Sequence, residues 1–297
     1  MNYRILIWDK FLPIKSDKNL PMKKIIYTTD YSDNSVSALK YTYALSKLLQ
    51  VDVIVLHIFK EQLEPEVELI SEEKLIVQHH KKRIRDFCTL HLKQDFDSLN
   101  FSEAAVKGTD VSREILRFVR DINVCMLVMG ACGTGNLKEL FLGSTTTEMF
   151  AISPFPLLIV PTGFVFKKLE KILYTSDLQL KDIYNIGELV KIVHPLNSKI
   201  IILHVSKEDN LMTKNLLDWF RKSLSEKVNY PNFEIETIFS EDIFETLKLS
   251  IDESEADMVA MMERKHKPEI NYLLHRDIVK RMQSSLKVPL LSFNEIS

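Results

Sequence analysis

The chain has 297 residues, long for one α/β domain and comfortable for two that each bury a core of their own. Its 45% hydrophobic and 27% charged residues are expected of a soluble globular protein and exclude a disordered or fibrous one. With 39 basic against 41 acidic residues there is no global field to attract nucleic acid or anionic lipid, so neither nucleic acid nor a membrane is expected as a partner.

In chain order, residues 1–21 are expected to form an extension outside the first sheet. Their "SDKNLP" is turn-like, and the first β-branched run starts just after Met22, itself a candidate natural start. Ile5 to Trp8 is the only apolar run near the beginning, too short for the core of a signal peptide, and no later run approaches a membrane span. Cys88, Cys125 and Cys132 are too few for a disulfide framework and form no CxxC pair, so a cytoplasmic location is expected.

From Met22 onward, short β-branched runs alternate with amphipathic stretches, the pattern of βαβ units and a parallel sheet. Strands are predicted near Lys24 to Thr28, Asp52 to His57, Phe101 to Val106, Cys125 to Met129 and Leu157 to Val160. Between them, apolar residues recurring at three and four predict helices over Ser35 to Leu49, Ser71 to Gln94, Val111 to Arg120 and Ser144 to Ile152. Asp33 or Asn34 is expected to cap the first of these helices and Asp110 the third.

The pattern then repeats. "KIIYTTD" at 24–30 matches "KILYTSD" at 171–177, and "VDVIVLHIF" at 51–59 matches "SKIIILHVS" at 198–206, both at a shift of 147. Further on, "NVCMLVMG" corresponds to "EADMVAMM" and "SPFPLLIV" to "LKVPLLSF" at shifts of 132 and 133, so the second copy is shorter in its middle. Its strands are predicted near Lys171 to Thr175, Lys199 to Val205, Phe233 to Phe239, Met258 to Met261 and Leu290 to Phe293, with Thr162 to Lys168 as the connection. Two tandem domains follow, 22–161 and 168–297, each a doubly wound parallel sheet of five strands. The last strands, Leu157 to Val160 and Leu290 to Phe293, are expected near the contact between copies, because a terminal apolar edge is safer covered.

Four of the seven glycines fall within "VMGACGTGNLKELFLGST" at 128–145. A strand ends at Met129, a bare turn follows, and Gly143, Ser144 and Thr145 begin a helix whose free N–H groups suit a phosphate. The spacing is not that of a dinucleotide fingerprint, since Lys138 stands where a third glycine belongs, and there is no G-K-(S/T) of a P-loop. No nucleophile elbow, HExxH or placeable carboxylate pair appears. His57 and His204 end matching strands and read as structural hydrogen-bonding residues, because the second persists where the glycines are lost. Cys125 and Cys132 have no evident third zinc ligand, and Met258, Met261 and Met262 read as strand packing.

The spacing Gly130, two residues, Gly133, nine residues, Gly143, Ser144 resembles the nucleotide-binding branch of the universal stress protein family, whose signature is G-x2-G-x9-G-(S/T). "IIYTTDYSDNSVSALKYTYALSK", "VIVLHI", "VKGTDVSREIL" and "SPFPLLIV" are similar to the family's other conserved segments, so the likeness covers residues 22–161 well and 168–297 more faintly. It implies the adenine nucleotide alpha hydrolase-like fold and a cytoplasmic, ATP-binding stress-response or signalling module. On that resemblance, Thr29 and Asp30 meet the nucleoside, Ile58 borders the adenine, and Met129, Gly130 and Gly133 flank ribose and phosphates. Gly143, Ser144 and Thr145 would hold the phosphate chain, and Asp30 would help to hold Mg²⁺. Adenine nucleotide is thus the expected partner, and a homodimer a candidate assembly.

Departures from the family pattern bear on affinity. Cys125 replaces a usual aspartate, Cys132 a common histidine, Thr134 a frequent basic residue, and Gly135 stands one position early, which predicts weaker phosphate binding. In the second copy Asp177 and His204 survive, but the aligned loop "MMERKHKPEINYLLHR" has no glycine, so one nucleotide per chain is expected. The rival readings are a scaffold that uses the repeat as a pseudo-symmetric interface without nucleotide, and a slow ATP hydrolase with no dedicated base.

Overall fold

A computed structural model describes residues 23–60, 70–133, 140–141, 143–263 and 287–294. Ten strands form one sheet in the order β10-β9-β8-β11-β12-β7-β4-β1-β2-β3. The first half supplies β1 (Lys24–Thr28), β2 (Asp52–Phe59), β3 (Phe101–Lys107), β4 (Val124–Gly130) and β7 (Leu157–Val160). The second half supplies β8 (Lys171–Thr175), β9 (Lys199–Ser206), β10 (Phe233–Phe239), β11 (Met258–Glu263) and β12 (Leu290–Asn294). A separate two-stranded hairpin, β5 (Cys132–Gly133) with β6 (Leu140–Phe141), leaves the end of β4. Each half is parallel throughout and reverses its strand order beside its first strand, at β1/β4 and at β8/β11.

Where two neighbouring sheets are expected, the halves merge into one. β7 and β12 pair antiparallel, with Leu158 opposite Leu291. Both side chains are about 1% exposed, and Asn294 Nδ2 donates to the Ser153 carbonyl at 2.7 Å across the joint. Two terminal apolar edges thereby satisfy each other's backbone groups, which disposes of the edge hazard by hydrogen bonding as well as by cover.

Helices cover both faces. α1 (Asp33–Leu49), α2 (Ile70–Leu92), α5 (Leu180–Val193) and α6 (Leu211–Lys227) pack over Ile25, Tyr27, Val53, Tyr174 and Ile200. On the opposite face α3 (Val111–Phe118), α4 (Ser144–Ile152) and α7 (Ile243–Ser254) pack over Ile26, Leu56, Leu127, Leu173 and Val259. Neighbouring residues of a strand point to opposite faces, so strands covered on both sides read as continuous apolar runs. The Met258, Met261 and Met262 side chains are buried in strand packing, as the sequence suggests.

Helix ends follow local chemistry. Asp110 caps α3, its side chain accepting from the Arg113 N–H at 3.0 Å. The cap of α1 is Ser32, one residue before the expected Asp33 and two before Asn34, and Asp33 occupies the first turn, where its charge favours the helix start. α2 and α3 stop at Leu92 and Phe118, each two residues short of the predicted end.

Candidate functional site

The carboxyl ends of β1, β2 and β4 meet where the strand order reverses, the place at which open α/β sheets expose a crevice. β1 ends in a sharp turn. The Thr29 N–H donates to the Leu56 carbonyl at 3.0 Å, and the Tyr31 N–H donates to Thr29 Oγ1 at 3.0 Å. Tyr31 adopts φ 65°, the left-handed region that a bulky residue enters only at a cost of about 1–2 kcal/mol. Its ring is held by His57 at a centroid distance of 4.4 Å and by the Arg83 guanidinium at 4.5 Å. His57 Nδ1–H in turn donates to the Thr29 carbonyl at 2.8 Å, which fixes the tautomer. The expected structural role of this histidine is borne out, and His204 repeats it on the Ser176 carbonyl at 2.8 Å.

The turn aims Asp30. Oδ1 accepts from the Ser32 N–H at 3.0 Å, from Ser32 Oγ at 2.6 Å and from Ser35 Oγ at 2.6 Å. Partial burial raises the carboxyl pKa and is the largest single effect, but these hydrogen bonds to the charged form together hold it below the ordinary carboxylate range. Asp30 is therefore an anion at neutral pH. His57 is shifted downward as well: burial, opposed by its bond to Thr29 and aided by Arg83, lowers its pKa and keeps the ring neutral.

Two glycines prove to differ in their reason for being bare. A Cβ at Gly130 would stand 2.6 Å from the Asn34 carbonyl oxygen, so the start of α1 itself forbids a side chain there. Gly143 is the N-cap of α4 with φ −60° and ψ 157°, angles open to any residue. No side chain caps that helix start, where serine, threonine or aspartate would be favourable. The first N–H groups of α4 are thus left for something else, and backbone geometry gives no reason for glycine at 143.

These elements enclose a cavity of about 300 Å³. Of the residues singled out from the sequence, Thr29, Asp30, Ile58, Met129, Gly130, Gly143, Ser144 and Thr145 line it. Gly133 pairs with Leu140 in the hairpin that leaves β4. Sequence reading missed Ser32, Asn34 and Ser35, which the α1 start brings in, and Val111 and Ile115 from α3. The serines carry a signal in retrospect, since a strand-end aspartate followed by hydroxyls at two and five residues can organise a turn. Among the described residues, Asp30 is the one ionisable side chain in the lining. Thr134, Gly135 and Leu142 lie outside the described residues. Among those described, no group of three histidine, cysteine or carboxylate side chains could hold a metal on its own.

The second half departs where its sequence does. Asp182 stands at the counterpart of Ser35 and is 1% exposed. It accepts from Ser176 Oγ at 3.0 Å, from Tyr174 OH at 3.2 Å and from the Gln179 N–H at 3.0 Å, so a buried carboxylate ties this turn shut from inside. Leu178 repeats the left-handed turn of Tyr31 with φ 59°. Met262, 2% exposed and opposite Phe293, holds the register position of Gly130, which lies opposite Val160. The rest of the glycine-free loop, 264–286, lies outside the described residues.

A doubly wound α/β sheet with a cleft at its switch point defines a class of small-ligand-binding domains. Within that class, residues 21–161 match the model described as the universal stress protein family. Universal stress protein MJ0577 of Methanocaldococcus jannaschii is 28% identical over 152 residues, which cover 94% of that protein and 46% of this chain. Universal stress protein YxiE of Bacillus subtilis is 27% identical over 146 residues, 97% of that protein and 46% of this chain. A crystal structure of a universal stress protein from Archaeoglobus fulgidus superposes with a TM-score of 0.67 at 17% identity, covering 93% of this chain and 99% of that one. The last similarity extends the fold across both halves. Among the described residues, no helix is long and apolar enough to cross a membrane.

Proposed function

We propose that the chain is a tandem universal stress protein in which domain 22–161 binds ATP and domain 168–297 is a degenerate copy, the whole acting as a cytoplasmic nucleotide-dependent stress or signalling module that forms a homodimer. The observation that carries the nucleotide reading is the meeting of the Asp30 turn with the uncapped start of α4 in one cavity. Its volume, about 300 Å³, falls at the small end of ligand pockets, enough for a nucleoside with the phosphates leading out along the helix start. Ile58, Leu56, Val111 and Ile115 offer apolar walls to a base, while Thr29 and Asp30 offer hydrogen-bond acceptors to a ribose.

The α4 N–H groups at Ser144, Thr145 and Thr146 supply the positive pole that a phosphate chain needs. Among the described residues no lysine or arginine lines the cavity, and the phosphate contacts they offer come from backbone N–H groups and the helix dipole. Mg²⁺ fits as a companion of the phosphates, with Asp30 as the one carboxylate among the described lining residues, because this cation commonly takes one or two carboxylates and fills its shell with phosphate oxygens and water. Mg²⁺ would neutralise phosphate charge there. Asp30, fixed as an anion, would steady it and repel nucleotide that arrives without the metal.

The test is to denature the purified protein and identify released small molecules by mass spectrometry. The reading expects adenine nucleotide, or its appearance after incubation with ATP and Mg²⁺. A protein that releases none after incubation, and whose thermal midpoint does not move with ATP, would support the scaffold reading instead.

A further inference from the structure

α3 and α7 are corresponding helices of the two halves. Their N-caps Asp110 and Asp242 align at a shift of 132, and so do the buried pairs Ile115 with Leu247 and Val119 with Ile251. At that shift Ser112 falls on Phe244. Both are buried, the serine at 1% exposure and the phenylalanine at 9%. The fold thus accepts a large apolar residue at this place, whereas a hydroxyl sealed from water is costly unless it finds a partner. Ser112 has one: its Oγ–H donates to Glu148 Oε2 of α4 at 2.8 Å. At the shift of 133 that aligns β7 with β12, Glu148 falls on Arg281, so the sequence of the second half lacks both members of the pair.

The bond joins two helices that flank the cavity. Val111 and Ile115 of α3 line it, as do Ser144, Thr145 and Thr146 of α4, while Ser112 and Glu148 themselves do not. Glu148 stands four residues after Ser144, hence on the same face of α4 and one turn below its start. Apolar packing grips the helix further on, at Met149 and Phe150. The start itself is held by less: no side chain caps it, and Thr146 Oγ1 reaches the Gly130 carbonyl only at 3.4 Å. Among the described residues the Ser112–Glu148 bond, short and assisted by the carboxylate charge, is the stronger side-chain tie at this end of α4.

We propose that Ser112 and Glu148 are positioning residues of the first cleft. They hold the start of α4 against α3, so that its free N–H groups meet the phosphates of a nucleotide whose base lies on Val111 and Ile115. The proposal rests on the nucleotide reading above and assigns part of that affinity to a hydrogen bond outside the cavity. It also gives a reason for the polar pair in the half that keeps the glycines and for its loss in the half that does not.

Calorimetric titration of ATP with Mg²⁺ into the full chain and into Ser112→Ala, Glu148→Ala, Glu148→Gln and the double alanine variant tests it. The dissociation constant should rise about five-fold or more in each alanine variant and no further in the double, because the second change has no bond left to break. Glu148→Gln keeps an acceptor oxygen without the charge and should bind nearly as wild type does. In the ligand-free chain, amide exchange at Thr147, whose N–H closes the first turn on the Gly143 carbonyl at 2.9 Å, should quicken in the alanine variants. Exchange unchanged there would overturn the positioning step whatever the affinities. A thermal midpoint that falls while ATP affinity stays equal to wild type would mark the pair as structural and overturn the proposal alone. A wild-type chain that binds no ATP would overturn the nucleotide reading and this role together.

Discussion

Replacing Gly130 by alanine should destabilise the protein in the absence of any ligand. The added Cβ would lie 2.6 Å from the Asn34 carbonyl oxygen, 3.0 Å from its carbon and 3.3 Å from the Ser35 nitrogen. All three atoms are backbone, so no side chain can swing away, and β4 and the start of α1 must part by about 0.8 Å to reach ordinary contact. α1 resists that motion because Ala38, Leu39 and Tyr41 one turn on are buried against the sheet. Overpacking of this kind costs about 1–3 kcal/mol. The shift would also disturb Ser35, whose hydroxyl holds Asp30 Oδ1 and whose carbonyl accepts from Tyr27 OH at 2.7 Å. Urea unfolding of the ligand-free protein is the assay. A midpoint equal to wild type would refute the close approach and return Gly130 to the status of a residue kept bare for a ligand alone.

Other outcomes follow from the same geometry. Gly143→Ser should leave ligand-free stability unchanged or raise it by about 0.5 kcal/mol, since the backbone angles suit serine and the hydroxyl can cap α4; circular dichroism melts decide. Leu291→Ala, 1% exposed opposite Leu158, should cost about 2–5 kcal/mol and separate the unfolding of the two halves, visible as a second transition in calorimetry. Burial lowers the pKa of His57 and of His80, the latter aided by His57 and Arg83, so the unfolded chain binds more protons below about pH 6.5. The stability from these neutral rings is complete above that pH and is lost as pH falls towards the folded values. His80→Gln should flatten the pH profile of the thermal midpoint, and a profile unchanged by it would count against the depressed pKa.

The fold was largely legible because the repeat anchors fix two sets of strands before any motif is invoked. "KIIYTTD" and "KILYTSD" became β1 and β8, and the shifts of 132 and 133 reappear in the register, Gly130 opposite Val160 and Met262 opposite Phe293. That β7 and β12 would hydrogen-bond into a common sheet was not legible, since apolar edges carry no mark of whether they stack or pair. In the site, the chain positions of Asp30, Ile58 and Gly143 announced themselves through strand ends and glycine spacing. The left-handed conformation of Tyr31 did not, because tyrosine is not a residue that signals positive φ; the turn that imposes it, with the Tyr31 N–H on Thr29 Oγ1, recurs at Leu178 on Ser176 Oγ. Nor could the sequence separate the two duties of glycine: Gly130 yields to the Asn34 carbonyl at the start of α1, whereas the backbone angles of Gly143 admit any residue.

The central claim, nucleotide binding by the first half alone, is met most directly by calorimetric titration of ATP with Mg²⁺ into the full chain and into its Gly143→Asp variant. Aspartate at 143 keeps permitted backbone angles but sets a negative charge at the positive pole of α4, a penalty of about 1–2 kcal/mol before steric exclusion of the phosphates. The account predicts one ATP per wild-type chain, and no measurable heat of binding in a variant whose thermal midpoint is unchanged. Two equivalent sites per chain, or equal affinity in both proteins, would contradict it.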